Sequence, residues 1–66
     1  MEQPETLLRV KEVCSRVGVS RATVYKFVAA GRMKPPVKIG PRASGFPESE
    51  INEFIAERIR EGRKAA

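Results

Sequence analysis

The chain has no histidine, no tryptophan and no aspartate, and one cysteine and one tyrosine among 66 residues. Without histidine the commonest general base and zinc ligand is missing. With aspartate absent as well and no nucleophile–base pair in view, an enzyme is not expected. The lone thiol, Cys14, cannot close an intramolecular disulfide and has no second soft ligand, so neither a cross-link nor a bound metal is expected. No apolar run approaches the roughly 18 residues of a membrane span, and no signal-peptide pattern opens the chain. The expectation is a soluble protein of a reducing, cytoplasmic compartment, with no membrane, cofactor or small-molecule ligand. There is no internal repeat or low-complexity segment, and the length suits one small domain near the lower limit for folding without staples.

Acids are scarce where bases are dense. The net charge is +5, but from Arg9 to Phe46 nine lysines and arginines stand against one acid, Glu12, leaving that stretch at +8. From Glu48 to Glu61 five glutamates stand against Arg58 and Arg60, leaving −3. A chain polarised in this way points to a polyanion met on one side only.

Residues 1–6 are polar, contain Pro4 and show no periodicity, which predicts a loose tail. Leu7 and Leu8 begin the apolar pattern. Val10, Val13, Cys14 and Val17 recur at i, i+3, i+4 and i+7, the spacing of a short amphipathic helix that stops at Gly18. Ser20 is a good N-cap and Gly31 suits a left-handed closure, so 20–30 reads as a second helix. Val24, Phe27 and Val28 form its apolar stripe; at about 100° per residue, Ala22, Tyr25, Lys26 and Ala29 fall opposite, flanked by Arg21 and Thr23. Two residues between helices force a sharp turn, the geometry of helix–turn–helix. Cys14 four before the turn glycine, Val19 after it, and Val24 and Phe27 six and nine beyond it match that motif's consensus. Cys14 is expected to be the small residue at the helix crossing.

Beyond Gly31, a loop stiffened by Pro35 and Pro36 should tuck Met33 inward. Val37-Lys38-Ile39 alternates apolar and basic as a half-buried strand does. Gly40-Pro41-Arg42-Ala43 is turn material, and Ser44-Gly45-Phe46 can return as a second strand. Pro47-Glu48-Ser49-Glu50 opens a third helix, with acids suited to its dipole. Its buried stripe is Ile51, Phe54, Ile55 and Ile59, and Gly62 is the expected stop, with 62–66 frayed. The fold class is therefore mainly α with a small β-hairpin, a minimal winged helix–turn–helix over residues 7–61 in the order helix, helix, hairpin, helix. Its expected core is Leu8, Val13, Cys14, Val17, Val24, Phe27, Val28, Val37, Ile39, Phe46, Ile51, Phe54 and Ile55.

Two motifs sharpen the reading: the helix start Ser20-Arg21-Ala22-Thr23-Val24-Tyr25, and the run Pro36-Val37-Lys38-Ile39-Gly40-Pro41-Arg42 followed by Phe46 and Glu48-Ser49-Glu50-Ile51. Together they resemble the AlpA-type prophage regulators, over roughly residues 8–59. Phe46 and Phe54 stand where tryptophan is common in that family, which should alter packing more than function. A more distant resemblance is to MerR-type DNA-binding domains and phage excisionases. These resemblances imply binding to double-stranded DNA, either to control transcription near an integrase gene or to direct excision as an attachment-site bending protein.

On that reading the second helix enters the major groove. Ser20, Thr23 and the free N–H groups beside them would anchor phosphate, and Arg21 and Lys26 would reach guanines or phosphates. Tyr25 would meet either, and Ala22 a thymine methyl. Lys38 and Arg42, on a wing spanning 37–46, would engage the minor groove or backbone. Glu50, Glu53 and Glu57 read as a solvated face, or as a weak docking surface for a neighbouring protomer on tandem sites. No coiled-coil extension supports a tight dimer. The competing classes are a protein-interaction module with an acidic partner and an RNA binder, the latter weakened by having Tyr25 as its one expected exposed ring.

Overall fold

The computed structural model describes residues 6–65; residues 1–5 of the tail expected over 1–6, and Ala66, lie outside the described residues. The elements are β1 (Leu7–Leu8), α1 (Val10–Val17), α2 (Arg21–Ala29), β2 (Val37–Gly40), β3 (Ala43–Pro47) and α3 (Glu48–Ala65). This is the expected helix, helix, hairpin, helix order, with a short strand added in front.

Local chemistry accounts for the helix ends. Arg9 is the extended residue before α1, and its backbone N–H donates to Glu12 Oε1 at 3.0 Å, the return half of a capping box. Gly18 ends α1 at φ +81°, and the N–H groups of Gly18 and Val19 both donate to the Cys14 carbonyl. Ser20 caps α2 by accepting from the Thr23 N–H at 3.3 Å. At the far end Gly31 (φ +77°) donates to the Val28 carbonyl while Arg32 donates to that of Phe27. That is a Schellman closure, and it needs the left-handed residue that glycine supplies without strain.

The sheet has the order β1-β3-β2, all antiparallel. Leu7 faces Pro47 and Leu8 faces Phe46 on one side of β3; Val37 faces Gly45 and Lys38 faces Ser44 on the other. β1 thus turns the expected two-stranded hairpin into a three-stranded sheet. The Thr6 carbonyl extends this anchoring by accepting from the Glu48 N–H at 2.8 Å.

Leu8, Val13, Val24, Met33, Phe46, Ile51 and Phe54 are buried, and Val10, Cys14, Val17, Val19, Phe27, Val28 and Ile55 pack around them partly covered. Phe27 and Phe54 meet with centroids 5.1 Å apart and rings tilted by 60°. Arg16 bridges α1 to α3, its Nη2 2.6 Å from Glu48 Oε2 and its Nη1 donating to Asn52 Oδ1 at 3.2 Å. That ion pair is partly exposed and adds little stability.

Several expectations are corrected. Val37 and Ile39, assigned to the core, are each 48% exposed. Successive strand residues point to opposite faces, and the inner face is taken by Leu8 and Phe46. Val37 shares the outer face with its partner Gly45, and Lys38 lies on the inner side opposite Ser44. Leu7 is likewise outward, at 37%. Pro47 closes β3 rather than opening α3, which starts at Glu48. Ile59, placed in the buried stripe, is 50% exposed. An 18-residue helix is about 27 Å long, and it outruns the core that covers Ile51 and Phe54. α3 also continues through Gly62, where a stop was expected.

Gly45 is where strand packing leaves no room for a side chain. A Cβ there would lie 2.8 Å from Ile39 Cδ1 and 2.9 Å from Leu7 Cβ, whereas one at Gly40 would meet nothing within 4 Å. Gly45→Ala should therefore cost about 1–3 kcal/mol, read as a fall in melting temperature of roughly 4–8 °C per kcal/mol. Gly40→Ala should melt close to the wild type; equal melting of the two variants would contradict the sheet register.

Candidate nucleic-acid interface

The first requirement of a reading helix is a face that packs and a face that does not. Along α2, Val24 is fully buried and Phe27 and Val28 are partly covered, while Arg21, Ala22, Tyr25, Lys26 and Ala29 are exposed. Tyr25 is 41% exposed, and the Arg21 guanidinium carbon lies 6.0 Å from its ring centroid, the outer reach of a cation–π contact. The face therefore carries one ring, two cations and two alanines that let a partner approach closely.

Ser20 and Thr23 are already engaged with each other. Besides the backbone bond to Ser20 Oγ, the two hydroxyl oxygens lie 3.0 Å apart. They order the first turn of α2 and so aim its free N–H groups, with capacity left on each hydroxyl for a further partner.

The wing places its tip at Pro41 and Arg42, between β2 and β3. Arg42 and Lys38 are both exposed. Between wing and α2 lies a cleft of about 190 Å³ lined by Arg9, Val10, Arg21, Tyr25, Arg42, Ser44 and Phe46. Three of the expected residues, Arg21, Tyr25 and Arg42, thus meet around one space, with no carboxylate among its lining. Lys26 and Ala22 stand on the exposed face of α2 outside this cleft, and Lys38 is not among its lining residues. Two cleft residues, Arg9 and Ser44, were not singled out from the sequence. Finding Arg9 needed the pairing of Leu8 with Phe46, which a two-residue strand does not announce; Ser44 was legible in principle from its alternation with Phe46.

The acidic side of the molecule is separate. Glu50, Glu53 and Glu57 line a smaller cleft of about 90 Å³ together with Arg32 and Lys34 of the loop after α2. The glutamates thus have cations of their own chain as neighbours, and Glu50 is half-buried rather than fully solvated. Among the described residues no group of histidines, cysteines, aspartates or glutamates is placed to hold a metal ion, and no helix is long and apolar enough to cross a membrane.

The family model described as prophage CP4-57 regulatory protein (AlpA) matches residues 6–59, from just before β1 to well into α3. The chain belongs to the AlpA family. A protein of Enterobacteria phage P4 described as uncharacterized protein ORF88 is 38% identical to it over 60 residues, which are 91% of this chain and 67% of that relative. No solved structure matches the chain significantly. As an AlpA-family member the protein falls among prophage regulators, a family of regulators rather than of enzymes. The matched residues take in both α2 and the whole wing.

The capping role of Ser20 gives a stability test independent of any ligand. Ser20→Ala in this AlpA-family protein should cost about 1 kcal/mol in urea or thermal unfolding, and Ser20→Asp should restore most of it. Unchanged stability in Ser20→Ala would remove the hydroxyl from the cap.

Proposed function

We propose that this AlpA-family protein binds double-stranded DNA in a sequence-specific way and regulates prophage transcription in the cytoplasm of a bacterial host. The observation that carries the proposal is the shared cleft: the exposed face of α2 and the wing tip present arginines to one space free of acids. A polyanion with grooves about as wide as a helix fits that shape and charge.

In this reading α2 lies in the major groove. Ser20, Thr23 and the free N–H groups of the first turn hold a phosphate, the helix dipole adding to the attraction. Arg21 and Lys26 reach guanine edges or phosphates, Tyr25 reaches either, and Ala22 lies against a thymine methyl. The wing over 37–46 brings Lys38 and Arg42 to the adjacent minor groove or its rim. The pairing of exposed Lys38 with Ser44 favours this, because it puts the lysine on the same side of the sheet as that cleft residue. The apolar outer face of the wing, with Val37 and Ile39, takes no part.

A mobility-shift titration with the DNA upstream of the protein's own gene and of the nearest integrase gene tests the proposal. A single shifted species at a promoter, surviving excess random competitor, is the expected result. A ladder of species with bending at an attachment site would instead make the protein an excision factor, and no preference over random DNA would contradict the proposal. On the preferred duplex Lys26→Ala and Tyr25→Ala should each weaken binding by about tenfold while circular dichroism stays that of the wild type. Wild-type affinity in a folded double variant would take α2 out of the groove.

A further inference from the structure

Arg9 acts in the fold through its backbone and not through its side chain. Its backbone caps α1 through Glu12 Oε1, a bond that any residue with an N–H would make. Arg9 is exposed and lines the cleft between α2 and the wing, where Arg21, Tyr25, Arg42 and Ser44 also meet. The three arginines come from the β1–α1 junction, the first turn of α2 and the tip of the wing. Their convergence is therefore a product of the tertiary fold and not of neighbouring sequence. None of the three is ion-paired among the described residues, and no carboxylate lines the space. Like charges gathered without a counter-charge repel one another, and an anion with several oxygens relieves that repulsion. Arginine's forked donors suit phosphate oxygens in particular, and the hydroxyls of Tyr25 and Ser44 add two more donors.

The geometry of a grooved partner says which phosphate. A helix in the major groove and a wing in the neighbouring minor groove are separated by one sugar–phosphate strand, and that strand has to cross between helix and wing. We infer that this cleft seats the backbone of the strand dividing the two grooves, with Arg9 as a phosphate-binding residue supplied from outside both the helix–turn–helix and the wing, and Ser44 as an added hydroxyl donor. The inference rests on the DNA-binding reading above. It adds a third anchor point to the helix and wing, and it makes the short strand β1, which carries Arg9 at its end, part of the binding apparatus.

Phosphate contacts are indifferent to base sequence, so a labelled short duplex of random sequence is a sufficient probe. The full chain and its variants are titrated with it at several salt concentrations. Arg9→Ala should weaken binding by about tenfold at low salt and reduce the salt slope by about one unit. Arg9→Gln should behave the same, which guards against a local effect of alanine on α1. Arg9→Lys should keep the slope and lose part of the affinity, because the charge stays while the fork goes. Lys11→Ala, an exposed charge on α1 away from the cleft lining, should change neither. Combining Arg9→Ala with Arg42→Ala should cost less than the product of the single effects, since the two act on one stretch of backbone. Wild-type affinity and slope in a folded Arg9→Ala or Arg9→Gln, alongside weakened Arg42→Ala, would overturn the role of Arg9 and leave the DNA-binding reading standing. Failure of the wild type to bind any duplex at low salt would bring down that reading and this inference together.

Discussion

Phe46 sits on the middle strand of the sheet, 2% exposed, and its burial holds the wing to the helices. β3 pairs with both β1 and β2, so whatever fixes β3 fixes the whole sheet. A two-stranded ribbon without a buried face has little stability of its own in water. Burying one phenylalanine contributes about 1.5–3 kcal/mol, a large share of the roughly 3–10 kcal/mol expected in total for a domain of this length. Arg42 and Ser44 lie four and two residues before Phe46 on the same segment, and Arg9 follows its strand partner Leu8. The position of each relative to α2 is therefore inherited from that one buried ring.

Charge follows from the same arrangement. The bases between Arg9 and Phe46 and the acids from Glu48 onward are separated along the chain, and the fold brings Arg16, Arg32 and Lys34 to the acids while leaving the arginines of the α2–wing cleft without them. The arginines of the α2–wing cleft have no acid among them, whereas Glu50, Glu53 and Glu57 lie beside Arg32 and Lys34. The ion pair of Arg16 with Glu48 sits where α1 meets the start of α3 and draws no acid into the cleft. A surface of one sign is thereby kept free of internal neutralisation on the side where α2 and the wing meet. Membership of a family of prophage regulators gives that surface a biological setting.

Much of the fold was legible in the residues because its punctuation is chemical. Ser20 caps, and Gly18 and Gly31 close, for reasons that belong to those side chains alone. The apolar spacing of α1 and α2 likewise separated Val13 and Val24 from the residues facing solvent. The errors share a cause. Alternation along Val37-Lys38-Ile39 defines two faces of a strand but not which one is inward, and that choice was made by Phe46 across the ladder. The spacing of Ile59 within α3 was regular, yet a stripe says nothing about where the core beneath it ends. The strand Leu7–Leu8 is too short to carry a period, so the anchoring of Arg9 beside the wing was invisible. Arg21, Tyr25 and Arg42 were each singled out singly; that they line one space is a tertiary fact.

The central claim is that the surface formed by α2 and the wing, and not another face, meets the grooves of duplex DNA. Amide chemical-shift mapping of the isotopically labelled chain during titration with duplex from its own locus tests it most directly. Shifts concentrated in residues 20–30 and 38–44 and around Arg9, with residues 52–64 of α3 nearly unmoved, are the expected result. Shifts centred on α3 or on the outer sheet face of Val37 and Ile39, with α2 unchanged, would contradict it.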